Sequence, residues 1–108
     1  MGYYTTITGY ASISLTEEEI ECLNIHLNHN NIDWADISGN YIDLGNFKAY
    51  DFVDDMTEIS KEFPDIVFQF ECHGEEFGDV WKAYFKNGKN YITKPKISWD
   101  DFDITKLR

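Results

Sequence analysis

The chain has 108 residues, with 20 Asp and Glu against 9 Lys and Arg for a formal net charge of −11, and is 43% hydrophobic and 17% aromatic. That length and aromatic content predict one globular domain over residues 1–108 with a real core, and exclude an acidic disordered tail. No apolar run approaches the ~18 residues of a bilayer span, the N-terminus has no signal pattern, and Cys22 and Cys72 are too few for a disulfide framework, so the chain reads as cytoplasmic with free thiols and no membrane contact.

Residues 3 to 14 set Ile7, Gly9, Ala11 and Ile13 in alternation with Thr6, Thr8, Tyr10 and Ser12, which predicts a first strand. Thr16 followed by Glu19 is a capping-box pattern and should open a helix whose apolar stripe is Ile20, Leu23 and Leu27. Glu17, Glu18 and Glu21 then point outward, and the Asn-rich stretch NHNNID ends the helix. Between residues 32 and 50, Trp34, Ile37, Tyr41, Ile42, Leu44, Phe47 and Tyr50 follow neither period, and Gly39 and Gly45 interrupt them. A loop followed by a strand near 40 to 50 is expected. Asp51 should cap a second helix, with Phe52, Met56, Ile59 and Phe63 on its inner face, Pro64 closing it, and Asp54, Asp55, Glu58 and Glu62 outside.

From residue 66 the period becomes two, with Ile66, Phe68, Phe70 and Cys72 on one face. Asn87-Gly88 between two alternating runs predicts a hairpin that pairs Phe85 with Asn90, Tyr84 with Tyr91 and Ala83 with Ile92. Trp81, Ala83, Phe85 and Ile92 should face the core, leaving Lys82, Tyr84, Lys86, Lys89, Tyr91 and Thr93 outside. The fold class that follows is α+β: a largely antiparallel sheet of about five strands with two helices packed on one face, in the order β-α-β-α-β-β-β.

Charge is unevenly divided. Residues 1–79 carry 17 acidic and 2 basic groups, a net of −15, and residues 80–108 carry 3 and 7, a net of +4. A small domain needs a net charge of only about 2 to 8 for solubility. The carboxylates Glu17, Glu18, Glu21, Asp54, Asp55, Glu58 and Glu62, all on outer helix faces, are therefore the candidate partner-binding residues. On this reading they imitate a phosphate array and dock in the basic groove of a nucleic-acid-handling protein, gaining steering and fast, salt-sensitive association. The competing reading is a solvated acidic surface. The same sign argument disfavours direct binding of nucleic acid, although Lys82, Tyr84, Lys86, Lys89, Tyr91 and Lys94 combine cations with stacking groups.

Other constellations are weaker. Cys22, His26 and His29 fall on one line of the first helix, with Cys72-His73 as further donors, but match no common zinc spacing. Glu75, Glu76 and Asp79, and Asp100, Asp101 and Asp103, lack the order of a calcium loop and fit solvated turns. Met1-Gly2-Tyr3-Tyr4-Thr5-Thr6 satisfies only the bare myristoylation pattern, beside no basic patch. No phosphate-binding, dinucleotide, nucleophile-elbow or zinc-protease motif occurs. No catalytic residue, metal or cofactor is assigned, and the chain reads as a non-enzyme.

The segment Gly74-Glu75-Glu76-Phe77-Gly78-Asp79-Val80-Trp81-Lys82-Ala83-Tyr84-Phe85-Lys86-Asn87-Gly88-Lys89, with the MGYYT start and an ending built on Trp99, Phe102, Asp103 and Leu107, resembles small acidic proteins encoded in phages and prophages of low-GC bacteria. The resemblance covers the last third and the first five residues, and carries no functional residue with it. It implies a setting in which small accessory proteins disable host defence enzymes such as restriction and CRISPR nucleases. The expected function is thus a phage anti-defence inhibitor, of the anti-restriction or anti-CRISPR kind, acting on a host nucleic-acid-binding defence protein. The alternatives are a small-ligand or metal-binding accessory protein, or an immunity or adaptor module docking through Trp34, Tyr41, Tyr84, Tyr91 and Trp99.

Overall fold

A computed structural model describes residues 2–95 and 104–107. The elements run β1 (Thr5–Ala11), α1 (Glu17–His29), β2 (Asp36–Ser38), β3 (Tyr41–Phe47), α2 (Phe52–Ser60), β4 (Phe68–Gly74), β5 (Val80–Lys86) and β6 (Lys89–Thr93), with a short 3₁₀ turn at Ile104–Leu107. The strands form one antiparallel sheet in the order β2-β3-β1-β4-β5-β6. This is the expected α+β class, with six strands where about five were expected.

The additional strand comes from residues 36–47, which fold as a hairpin, not as a loop and a single strand. Ser38 pairs with Tyr41 across Gly39-Asn40. Gly39 has φ +60°, the sign a tight two-residue hairpin needs at its first turn position. A bulge then disturbs β3: Ile7 pairs with Gly45 and Thr8 with Asp43, so Leu44 is an extra residue. Gly45 takes φ +68°, and its N–H donates to Asp43 Oδ1 at 2.9 Å. The bulge inverts the alternation, so that Ile42 and Leu44 are buried before it and Phe47 packs beside Phe52 after it, ring centroids 6.5 Å apart.

Both helices lie on one face. Thr16 Oγ1 accepts from the Glu19 N–H and Glu19 Oε1 accepts from the Thr16 N–H, closing the capping box. Leu23 and Leu27 of α1 and Phe52, Met56 and Ile59 of α2 are buried against Ile7, Ala11, Ile42, Leu44, Phe68, Phe70, Cys72, Ala83 and Phe85 of the sheet. At the centre the rings of Phe52, Phe70 and Phe85 meet edge to face at 5.2–6.0 Å. Asp51 precedes α2 but makes no side-chain capping bond, contrary to its expected role. The far end of α2 is fixed to the last hairpin instead. Ser60 Oγ accepts from the Gly88 N–H at 2.8 Å, and Asn90 Nδ2 donates to Thr57 Oγ1 at 3.0 Å.

The last hairpin has the expected register, including Tyr84 opposite Tyr91, and Asn87 and Gly88 both have positive φ. Ile92 lies on the helix-bearing face as expected but is 38% exposed, because β6 is the edge strand.

Candidate functional site

Two surfaces flank the sheet: a helical layer on one side and bare strands on the other. On the helical layer, Glu17, Glu18, Glu21, Asp54, Glu58 and Glu62 are exposed, and Asp55 is half-buried. Burial, followed by the neighbouring charges of Asp51 and Asp54, raises the Asp55 carboxyl above its ordinary range.

The helices run antiparallel, as two clefts between them show. At one end Glu18, Glu19, Glu62 and Asp65 line a cleft of about 300 Å³ with Cys22, Phe63, Pro64 and Ile66. At the other, Asn30 and Asn31 after α1 approach Asp51 and Asp55 of the α2 start, in a cleft of about 410 Å³. Of the candidate residues, Glu18 and Glu62 thus line one cleft, with Glu19 and Asp65 beside them. Glu19 was legible only as a capping residue, and Asp65 lay in a turn with no periodicity to place it. Asp54 and Glu58 sit one turn apart on α2, away from its buried side.

Among the described residues, cations barely enter this layer. Lys61 Nζ lies 2.9 Å from Glu58 Oε2, the one Lys–carboxylate pair found among the described residues, and both groups are well exposed. Such a pair stabilises by less than about 1 kcal/mol. Lys48 stands 5.8 Å from the centre of the Tyr4 ring. The hairpin cations Lys82, Lys86 and Lys89 alternate with Ala83 and Phe85, and so lie on the opposite side of the sheet from the helices.

The other constellations resolve into structural roles. Cys72 is fully buried, and burial ahead of the charges of Asp79 and Glu71 pushes its thiol up to about 12. It therefore stays a protonated core group at neutral pH. Rings of His26 and His29 approach edge-on at 6.5 Å, and among the described residues no three His, Cys, Asp or Glu side chains converge as a metal would require. In the 75–79 loop, Tyr3 Oη donates to Asp79 Oδ2 at 2.5 Å and accepts from the Glu76 N–H at 3.0 Å. That carboxylate anchors the first strand's approach to the loop, and its hydrogen bond raises the Tyr3 phenol above its ordinary range. Trp34 Nε1 donates to the Leu44 carbonyl at the bulge. Asp100, Asp101, Asp103, Trp99 and Phe102 lie outside the described residues.

No helix among the described residues is long and apolar enough to cross a membrane. Comparison of the chain with protein-family models, curated proteins and solved structures finds no match.

Proposed function

We propose that the helical layer is a docking surface for a cationic groove, and that the protein is a non-enzymatic inhibitor which occupies the nucleic-acid site of a host defence protein in the bacterial cytoplasm. One observation supports this reading above the others. The carboxylates of α1 and α2 stand exposed on one side of the sheet, while the hairpin lysines that could neutralise them stand on the other. A surface needing only solubility would intersperse the two signs. The outward carboxylates of Glu18, Asp54, Glu58 and Glu62 supply negative charge at several points along two antiparallel rods, as a phosphate backbone does.

The energy of such docking lies mainly in steering and counterion release, so the partner binds quickly at low salt and weakly at high salt. The test is capture from a bacterial lysate on the immobilised protein, with elution by duplex DNA. Nucleic-acid-binding proteins should be retained, released by DNA or salt, and lost when Glu18, Asp54 and Glu62 are changed to Lys. Retention that ignores DNA and survives those changes overturns the proposal.

A further inference from the structure

The side of the sheet without helices is organised in rows. Across the strands, Tyr41, Tyr10, Gln69, Tyr84 and Tyr91 are consecutive cross-strand partners on β3, β1, β4, β5 and β6. Tyr10, Tyr41 and Tyr91 are 53%, 37% and 65% exposed. Neighbouring rings touch in pairs, Tyr10 with Tyr41 at 5.5 Å and Tyr84 with Tyr91 at 6.2 Å. From Tyr41 to Tyr91 the row reads the same from either end, two tyrosines, a glutamine and two tyrosines, with Ser38 of the short edge strand β2 beyond Tyr41. The adjacent row holds Asp36, Asp43, Thr8, Glu71, Lys82 and Thr93. Among the strand residues of this face the acids Asp36, Asp43 and Glu71 are equalled in number by Lys82, Lys86 and Lys89, and Lys94 just beyond β6 lines a cleft with Glu71, Lys82 and Tyr84. The acids lie towards β2 and the lysines towards β6.

We propose that this face binds a second copy of the chain, sheet against sheet, about a two-fold axis running along β4 through Gln69. Such an axis reverses the row order, so Tyr41 of one copy meets Tyr91 of the other, Tyr10 meets Tyr84, and Gln69 meets Gln69. In the adjacent row Lys82 comes over Thr8, between Asp43 and Glu71 of the second copy. The two Glu71 carboxylates approach each other near the axis and are flanked by both Lys82 ammonium groups. A two-fold contact demands this kind of self-complementarity, and exposed tyrosines are what interface centres favour. The acidic helices point outward on both sides of the pair, so association does not press like-charged layers together.

A polyanion is disfavoured as the occupant because Asp36, Asp43 and Glu71 on the same face oppose the attraction of its lysines. The size of the face places the contact among the weak, reversible ones. Five strands ~4.8 Å apart and ~23 Å long give roughly 550 Å² per copy, or about 1,100 Å² in total, at the lower limit for a specific interface. The dimer should therefore dissociate in the micromolar range. The inference is independent of what the helical layer binds.

The test is sedimentation equilibrium of the full chain from micromolar to submillimolar concentration, with circular dichroism confirming that each variant folds. Wild type should show a monomer–dimer equilibrium. Lys82→Glu and Glu71→Lys, both at exposed positions, should each weaken self-association at least about tenfold. Mixing the two variants should restore dimers, because each then offers the charge the other lacks. A monomer throughout the range, a dimer indifferent to both substitutions, or a mixture that fails to recover overturns the proposal. Binding of a single-stranded oligonucleotide to a monomeric wild-type chain would overturn it too and assign the tyrosine row to stacking.

Discussion

The two sides of the sheet are made by the same alternation and end in opposite chemistries. Along β4, Phe68, Phe70 and Cys72 turn towards the helices and vanish from solvent, while Gln69, Glu71 and His73 turn to the bare side. The helix-bearing side buries its apolar groups and displays the carboxylates of a second layer, with Lys61 the only cation seen pairing with them among the described residues. The bare side shows its strands directly and mixes its charges, Asp36, Asp43 and Glu71 with Lys82, Lys86 and Lys89. The contrast teaches that a chain's net charge says little until it is divided by surface. The sequence split at residue 79 assigns Asp36, Asp43 and Glu71 to the acidic part, yet the sheet sets all three on the face that carries the hairpin lysines, with Glu71 directly opposite Lys82.

Breaking the contrast should cost most at its buried side. Phe70→Ala empties the ring cluster of Phe52, Phe70 and Phe85 and should lower stability by about 3–5 kcal/mol in chemical denaturation, whereas Tyr10→Thr on the bare side should change monomer stability by no more than about 0.5 kcal/mol. Equal losses would mean that the bare side is packed against something within the monomer. Gly9→Ala comes next. A Cβ there would stand 2.2 Å from the Gln69 carbonyl oxygen and 2.5 Å from Phe70 Cδ1. Backbone must shift to admit it, so a loss of ~2–3 kcal/mol is expected, with the thermal transition falling accordingly.

Ser60→Ala sharpens the link between α2 and the last hairpin. The fully buried Ser60 hydroxyl donates to the Thr57 carbonyl and accepts from Gly88, so its removal strands the Gly88 N–H and should cost about 1–3 kcal/mol. Faster amide exchange at Gly88, with the rest of β5 still protected, would localise the effect. Asp55→Asn should act in the opposite direction and weakly. The folded state raises the Asp55 pKa, so the folded chain holds the proton more tightly than the unfolded one, and ionisation penalises folding. The penalty is fully present above the folded pKa and disappears below the ordinary carboxylate value. The variant should thus melt slightly higher than wild type near pH 7 and no higher near pH 3, as paired thermal scans would show.

Much of the fold was legible because it rests on local signals. The Thr16 capping box, the Phe52–Met56–Ile59 stripe and the Asn87-Gly88 turn each place their element without reference to the rest. The 32–50 region was not legible for a physical reason. A three-residue strand carries too little alternation to register, and the bulge at Leu44-Gly45 switches the inward parity between Leu44 and Phe47. The acidic helix faces could be predicted residue by residue, but the shared cleft of Glu18 and Glu19 with Glu62 and Asp65 depends on how α1 packs beside the end of α2. The tyrosine row was equally hidden. Tyr84 opposite Tyr91 follows from the hairpin turn, whereas Tyr10 and Tyr41 join them only through the sheet order, which no local signal encodes.

In the proposed docking, the carboxylates of the helical layer, rather than the bare sheet, meet the cationic partner. The most direct measurement is the salt dependence of association with the captured partner, compared between wild type and the Glu18→Lys/Asp54→Lys/Glu62→Lys variant. Log affinity should decline steeply with log salt for wild type, and for the variant the slope should be shallower, with association slowed at least about tenfold at low salt. Identical slopes and rates for the two proteins would contradict it.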